Sequence, residues 1–308
     1  MRTVGLLVAA ALSFVPLHAR ADASKVWTAA KANLPVEAKL VIGADFAAIQ
    51  KTQLFATYYP KLRDKPEVAR VLDSMKDSCK LDPLTTIQGV VVATSEDHED
   101  GAVYLAITGV DRTKLSSCLQ AAAQAADKTA KVTIKQDGAT TQLTEAAGTS
   151  YFGWIGKDIV VVATHGKDKA MLQKWMTGKG ALASGSLGKT LAKVNTSAPL
   201  WGAGEGTKEL QPGVTAKGAY GTVSFTNGNL SADLHGIMTD PAQATTMATA
   251  ANKQLAEAKQ GGALPAQIVT LLKAVTIAAT KEEVVVKANV VEKDLMGVIA
   301  MASAMGGP

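Results

Sequence analysis

Cysteine is nearly missing from this sequence: its 308 residues hold two. Neither sits in a C-x-x-C pair, so the thiol arrangement of a redox centre is absent. No cysteine lies near the N-terminal leader either, which argues against lipid attachment there. Aromatic residues make up 5% of the chain and charged residues 19%, against 47% hydrophobic, an ordinary globular composition. Neither sign of charge dominates. The formal net charge is +5, and +4 without Arg2, Arg20 and Asp22. An excess this small permits contact with anionic surfaces but does not point to nucleic acid. Beyond the leader no apolar run is long enough to span a bilayer, and the apolar C-terminal "LMGVIAMASAMGGP" reads as a packed helix.

The chain opens "MRTVGLLVAAALSFVPLHARADASK". Arg2, the apolar stretch Val4 to Leu17 and the small-x-small site Ala21-Asp22-Ala23 predict a signal peptide over 1–23, with Ala21 as the rival cleavage site. An exported protein, periplasmic or extracellular, is expected. In that compartment thiols oxidise. Cys79 shares a helical face with Val68, Val71, Leu72 and Met75, and Cys118 shares one with Leu115, Leu119 and Ala122. Both thiols therefore face a core. A structural disulfide between Cys79 and Cys118 is expected, worth about 4 kcal/mol on loop entropy. Two separate buried thiols are the alternative.

The pattern repeats. Gly89 to Leu119 and Gly218 to Ala248 both read strand, turn, strand, helix, with Asp111 and Asp240 in N-cap positions and Pro241 in a first helical turn. A second pair, Lys157 to Met176 and Glu282 to Met301, reads strand, turn, closing helix. The expected fold is α+β: two tandem repeats of antiparallel hairpins, each followed by helices packed on one face of the sheet. The first would cover 24–195 and the second, shorter one 196–308. In "LPVEAKLVIGADFAAI" Asp45 is placed to cap a helix, and in "LPAQIVTLLKAVTI" Ile268, Leu271, Leu272 and Val275 predict another.

The stretch "LPVEAKLVIGADFAAI" with "CKLDPL" (Cys79 to Leu84) and "APLWGAG" (Ala198 to Gly204) resembles uncharacterised secreted bacterial proteins built from tandem α+β repeats. The resemblance implies a fold and a location, and no functional residue.

Motifs that carry chemistry are sparse. "ASGSLGKT" (Ala183 to Thr190) has the outline of a phosphate-binding loop, but the preceding "MLQKWMTGKGAL" reads as a helix end and a glycine-rich loop instead of a buried strand. Ser186 at a helix start, with Leu187, Leu191 and Val194 on one face, accounts for the same residues. The acidic "SEDHEDG" around His98 lacks metal-loop spacing and reads as a solvated turn. No metal, no cofactor and no catalytic residue is assigned. His165 follows a strand beside Gly166; a hydrolase with a site assembled around it from distant residues is the alternative reading. The leading one is a non-catalytic envelope protein. Lys167, Lys169, Lys174, Lys179, Lys189 and Lys193, with Trp175 among them, form a possible anion-binding patch for an anionic envelope polymer, and an envelope protein is the other partner considered.

Overall fold

In the computed structural model the described residues are 23–95, 101–110, 112–126, 132–145, 148–163, 168–260 and 264–304. Residues 1–22 of the leader, residues 96–100 of the acidic turn around His98, Asp111, His165 and Lys167 lie outside them. Internal contacts divide the chain into a first unit, Met1–Lys51 with Phe55–Lys189, and a second, Thr52–Leu54 with Thr190–Pro308.

The first part of the chain runs α1 (Ala23–Asn33), β1 (Leu40–Asp45), α2 (Phe46–Ile49), α3 (Gln53–Arg63), α4 (Pro66–Cys79), α5 (Pro83–Thr86), β2 (Ile87–Thr94) and β3 (Gly101–Ile107). It continues with α6 (Arg112–Ala126), β4 (Thr133–Asp137), β5 (Thr140–Glu145), β6 (Gly148–Ile155), β7 (Ile159–Ala163), α7 (Lys169–Met176) and α8 (Ser186–Leu191). The strands of the first unit form an antiparallel array in the order β1-β2-β3-β7-β6-β5-β4. Its central strands, "IQGVVVAT" and "GAVYLAI", are mostly apolar without alternation, and almost every residue in them is buried. A strand with only one covered face would alternate instead. Helices α1 and α7 pack against these strands. In α7, Leu172, Trp175 and Met176 recur at helical spacing and are buried. Gly153 in β6 lets α7 approach, because a Cβ there would lie 2.0 Å from the Met176 sulfur. Asp45 caps α2, its carboxylate accepting from the Ala48 N–H at 3.0 Å.

The rest of the chain runs β8 (Leu200–Gln211), β9 (Val214–Thr226), β10 (Asn229–Met238), α9 (Pro241–Gln260), α10 (Ala266–Lys273), β11 (Val275–Thr280), β12 (Glu283–Val291) and α11 (Glu292–Ala304). Its strand order is β8-β9-β10-β12-β11, again antiparallel. Asn227 and Gly228, at φ 52° and 74°, make the two-residue turn between β9 and β10. Asp240 caps α9 by accepting from the Gln243 N–H at 2.9 Å, and Pro241 occupies the first helical position. Ala244 and Ala248 of α9 meet Val214, Met238 and Val284 of the sheet in a core of small and medium side chains.

The class is therefore α+β, with antiparallel strands and packed helices. From β1, the first unit's order begins β1-β2-β3-β7-β6; from β8, the second reads β8-β9-β10-β12-β11. Three sequential strands are followed in each by a hairpin that docks through its second strand. The helix expected through Val275 ends at Lys273, because Val275 to Thr280 pair with β12 and the β-branched residues there go to the ladder.

Candidate functional site

The disulfide forms between Cys79 at the end of α4 and Cys118 in α6, with the Cα atoms 4.6 Å apart. It ties the two helices that pack on each other in the first unit. Among the described residues no helix is long and apolar enough to cross a membrane.

The lysine run carries less unbalanced charge than its sequence suggests. Lys169 forms a salt bridge with Asp137, and Lys174 lies 3.8 Å from Glu37. Lys193 donates to Glu283 at 2.7 Å. Lys179 sits in a left-handed turn at φ 50°, and Lys189 is in α8; neither makes an ion pair among the described residues. Lys167 is outside the described residues. Trp175 is fully buried rather than offered to a ligand. Its spacing from Leu172 and Met176 already marks the core side of α7.

"ASGSLGKT" begins inside a 3-10 turn at Ala181–Ser184, which follows α7 and not a strand. Leu187 and Leu191 are buried, so α8 is held by its apolar side. Gly188 is there for close packing: a Cβ would come 2.4 Å from the Leu182 carbonyl oxygen. A phosphate-binding loop requires successive N–H groups aimed outward from a strand end, and this segment has no such strand.

Two arrangements escaped the sequence reading. The first is a groove in the first unit between α6 and β4, lined by Arg112, Thr113, Ser116, Ser117, Gln120 and Gln136, with Ile134 and Gly138. Its volume is about 460 Å³, within the range of small-ligand sites. Residues 113, 116, 117 and 120 share one side of a helix by their spacing of three and four. The Arg112 guanidinium is fixed twice, by donating to the Gly138 carbonyl at 2.8 Å and by lying 5.8 Å from the Trp154 ring centroid. Gln136 donates to the Ser116 hydroxyl at 3.1 Å and accepts from Thr141 at 3.0 Å, which fixes its amide. Arg112 pairs with no carboxylate among the described residues.

The second is a polar network in the second unit, on the sheet face opposite α9. Alternation along β12 puts Val284 in the core and Glu283 on the other side. The Glu283 side chain is only 15% exposed. It accepts from Tyr220 at 2.8 Å and Lys193 at 2.7 Å, and lies 2.9 Å from His235 Nδ1. Burial opposes its charge, but these three partners outweigh burial and hold the Glu283 carboxyl below its ordinary range. His235 stacks on Tyr220 with centroids 4.4 Å apart, and its Nε2 lies 3.1 Å from Asp233. Burial, and then the bond to Glu283, push the Tyr220 hydroxyl up. Lys287 stands across from Asp233 at 3.4 Å. Both nitrogens of His235 therefore face carboxylates, and neither faces a hydroxyl nucleophile. The signal legible in sequence was Asp233 and His235 two apart in a strand, hence on one face.

No family model and no curated protein matches this sequence. Among solved structures the chain is similar to TP0453 in three crystal forms. Form III aligns at 9% identity over 88% of this chain and 97% of the other, with a TM-score of 0.48. Form IV aligns at 9% over 90% and 99% with a TM-score of 0.45, and form I at 7% over 89% and 97% with 0.42.

Proposed function

We propose that this is an exported, non-catalytic binding protein of the cell envelope whose ligand is an anionic envelope polymer. The observation that carries the reading is the groove between α6 and β4. It offers one immobilised guanidinium and a set of neutral hydroxyls and amides, with no carboxylate among the described lining residues. Such a surface attracts an anion and hydrogen-bonds a polar chain, but it supplies no general base to activate a nucleophile. The disulfide agrees with an oxidising compartment outside the cytoplasm. The two units, on this reading, descend from a tandem duplication. Their parallel strand orders and the constant spacing between Gly89 and Gly218 and between Asp111 and Asp240 support that origin.

The test is co-sedimentation of the chain from Ser24 onward with isolated envelope fractions at low and high salt. Binding at low salt that fades at high salt is expected, because exposed charge pairs are screened. Salt-insensitive binding points to a protein partner in place of a polyanion. Absence of binding at both salt levels overturns the reading.

A further inference from the structure

We infer that the α6–β4 groove is a subsite for one acidic sugar unit, a pyranose ring bearing a carboxylate, with Arg112 as the carboxylate receptor. The inference rests on the binding function proposed above and names its ligand class.

The argument starts from the donors. Arg112 spends one terminal nitrogen on the Gly138 carbonyl, which leaves its other N–H groups to the groove. A guanidinium held in place presents a planar fork that fits a carboxylate by two parallel bonds. Its pre-set position also lowers the ordering cost of binding. Beside it stand three hydroxyls, from Thr113, Ser116 and Ser117, and two amides, from Gln120 and Gln136. Hydroxyls and amides both donate and accept, as a ring of vicinal sugar hydroxyls requires.

Size and surroundings narrow the class further. A volume of about 460 Å³ admits one or two sugar rings. Among the described lining residues the one large apolar side chain is Ile134, so a flat aromatic or lipid chain has little to pack against. The Trp154 ring beneath Arg112 is buried and serves to hold the guanidinium. Asp137 and Lys135 alternate with Gln136 along β4 and so point to the other side of the strand, where Asp137 pairs with Lys169. Among the described lining residues Arg112 carries the single charge. The disulfide fixes α6 at Cys118, next to the lining residue Ser117, so the helical wall is anchored to α4.

The experiment is a titration of the ¹⁵N-labelled chain with glucuronate, glucose and acetate, followed by amide shifts. Glucuronate at about 10 mM is expected to move the Ser116, Ser117, Gln120 and Gln136 signals, as befits a millimolar single-unit ligand. Glucose and acetate should each bind about tenfold more weakly, since each lacks one of the two recognition elements. Arg112→Gln should weaken glucuronate about tenfold or more. Gln120→Ala leaves the Arg112 contacts untouched, and a smaller loss there supports the site even if Arg112→Gln loosens the fold. Silence with glucuronate, equal binding of acetate, or indifference to both substitutions overturns the inference. The two proposals fail separately. Envelope binding that survives Arg112→Gln, with glucuronate silent, removes the groove and keeps the polymer. Glucuronate shifts without envelope binding remove the polymer and keep the groove.

Discussion

The Tyr104 hydroxyl donates a hydrogen bond to the backbone carbonyl of Trp175, joining the middle of β3 to the last turn of α7. Carbonyls in a last helical turn have no partner within the helix. Tyr104 supplies one from a fully buried position, 71 residues away in the chain. The same burial pushes its hydroxyl above the ordinary tyrosine range.

Tyr104→Phe keeps the ring and removes the bond, leaving a buried carbonyl unsatisfied. A loss of about 1–2 kcal/mol is expected, read from urea unfolding at neutral pH. The pH dependence has a definite sign. A tyrosine pKa raised in the folded state contributes stability that is fully present below the unfolded value near 10 and is lost as pH rises above it. The wild type should therefore weaken more steeply than Tyr104→Phe above about pH 10. Identical alkaline limbs would show that Tyr104 ionises as freely in the fold as out of it.

Glu283 gives the opposite limb. Its folded pKa is lowered, so its contribution is present above the unfolded value of 4.5 and is lost as pH falls through the lower folded value. Glu283→Gln should cost about 1–2 kcal/mol at pH 7, because Lys193, Tyr220 and His235 lose a charged partner. It should also flatten the acid limb below about pH 4.5. Thermal melts across pH 3 to 7 (about one-unit steps) check both. A variant as acid-sensitive as the wild type would remove Glu283 from the network's stabilising role.

Glu292 is 3% exposed and caps a helix far from it in sequence. Its Oε1 accepts from the Leu54 N–H in the first turn of α3, within the second unit. Glu292→Ala should cost about 1–2 kcal/mol, in the range of a lost N-cap. Hydrogen exchange should rise at Leu54 before it rises in the core strands. Unchanged exchange at Leu54 would mean the cap carries no stability.

Reduction of the Cys79–Cys118 bridge should lower stability by up to about 4 kcal/mol, the loop-entropy value for this separation. Denaturation with and without a thiol reductant measures it, with Cys79→Ser, Cys118→Ser as the genetic counterpart. Because Ser117 and Gln120 flank Cys118 in the groove wall, glucuronate binding should fall with reduction while the central strands remain folded. Full ligand binding in the reduced chain would show that α6 is held without the bridge.

Much of the local structure was legible from neighbouring residues alone. Asp45 and Asp240 cap the helices that follow them, and Asn227-Gly228 turns a hairpin. Cys79 and Cys118 each announced a core-facing helical stripe, and that stripe made their pairing readable. Two positions go against the sequence reading. Trp175 stands among lysines in the sequence, but its spacing from Leu172 and Met176 places it in the core. Val275 fits a helical stripe, but its strand partners on β12 decide its state.

The charges were beyond such reading. Lys193 meets Glu283 across 90 residues, and Lys174 meets Glu37 from a different element, so neither pairing has a local signal. Arg112 and Gln136 line one groove only because α6 lies along β4 at the end of the strand array. Caps, turns and apolar stripes depend on residues within a turn or two of one another, and the sequence by itself determines them. Which lysines are neutralised, and where a positive group comes to stand beside hydroxyls, depends on strand order and helix packing. Those follow from burying the whole apolar set at once, and only the tertiary structure decides them.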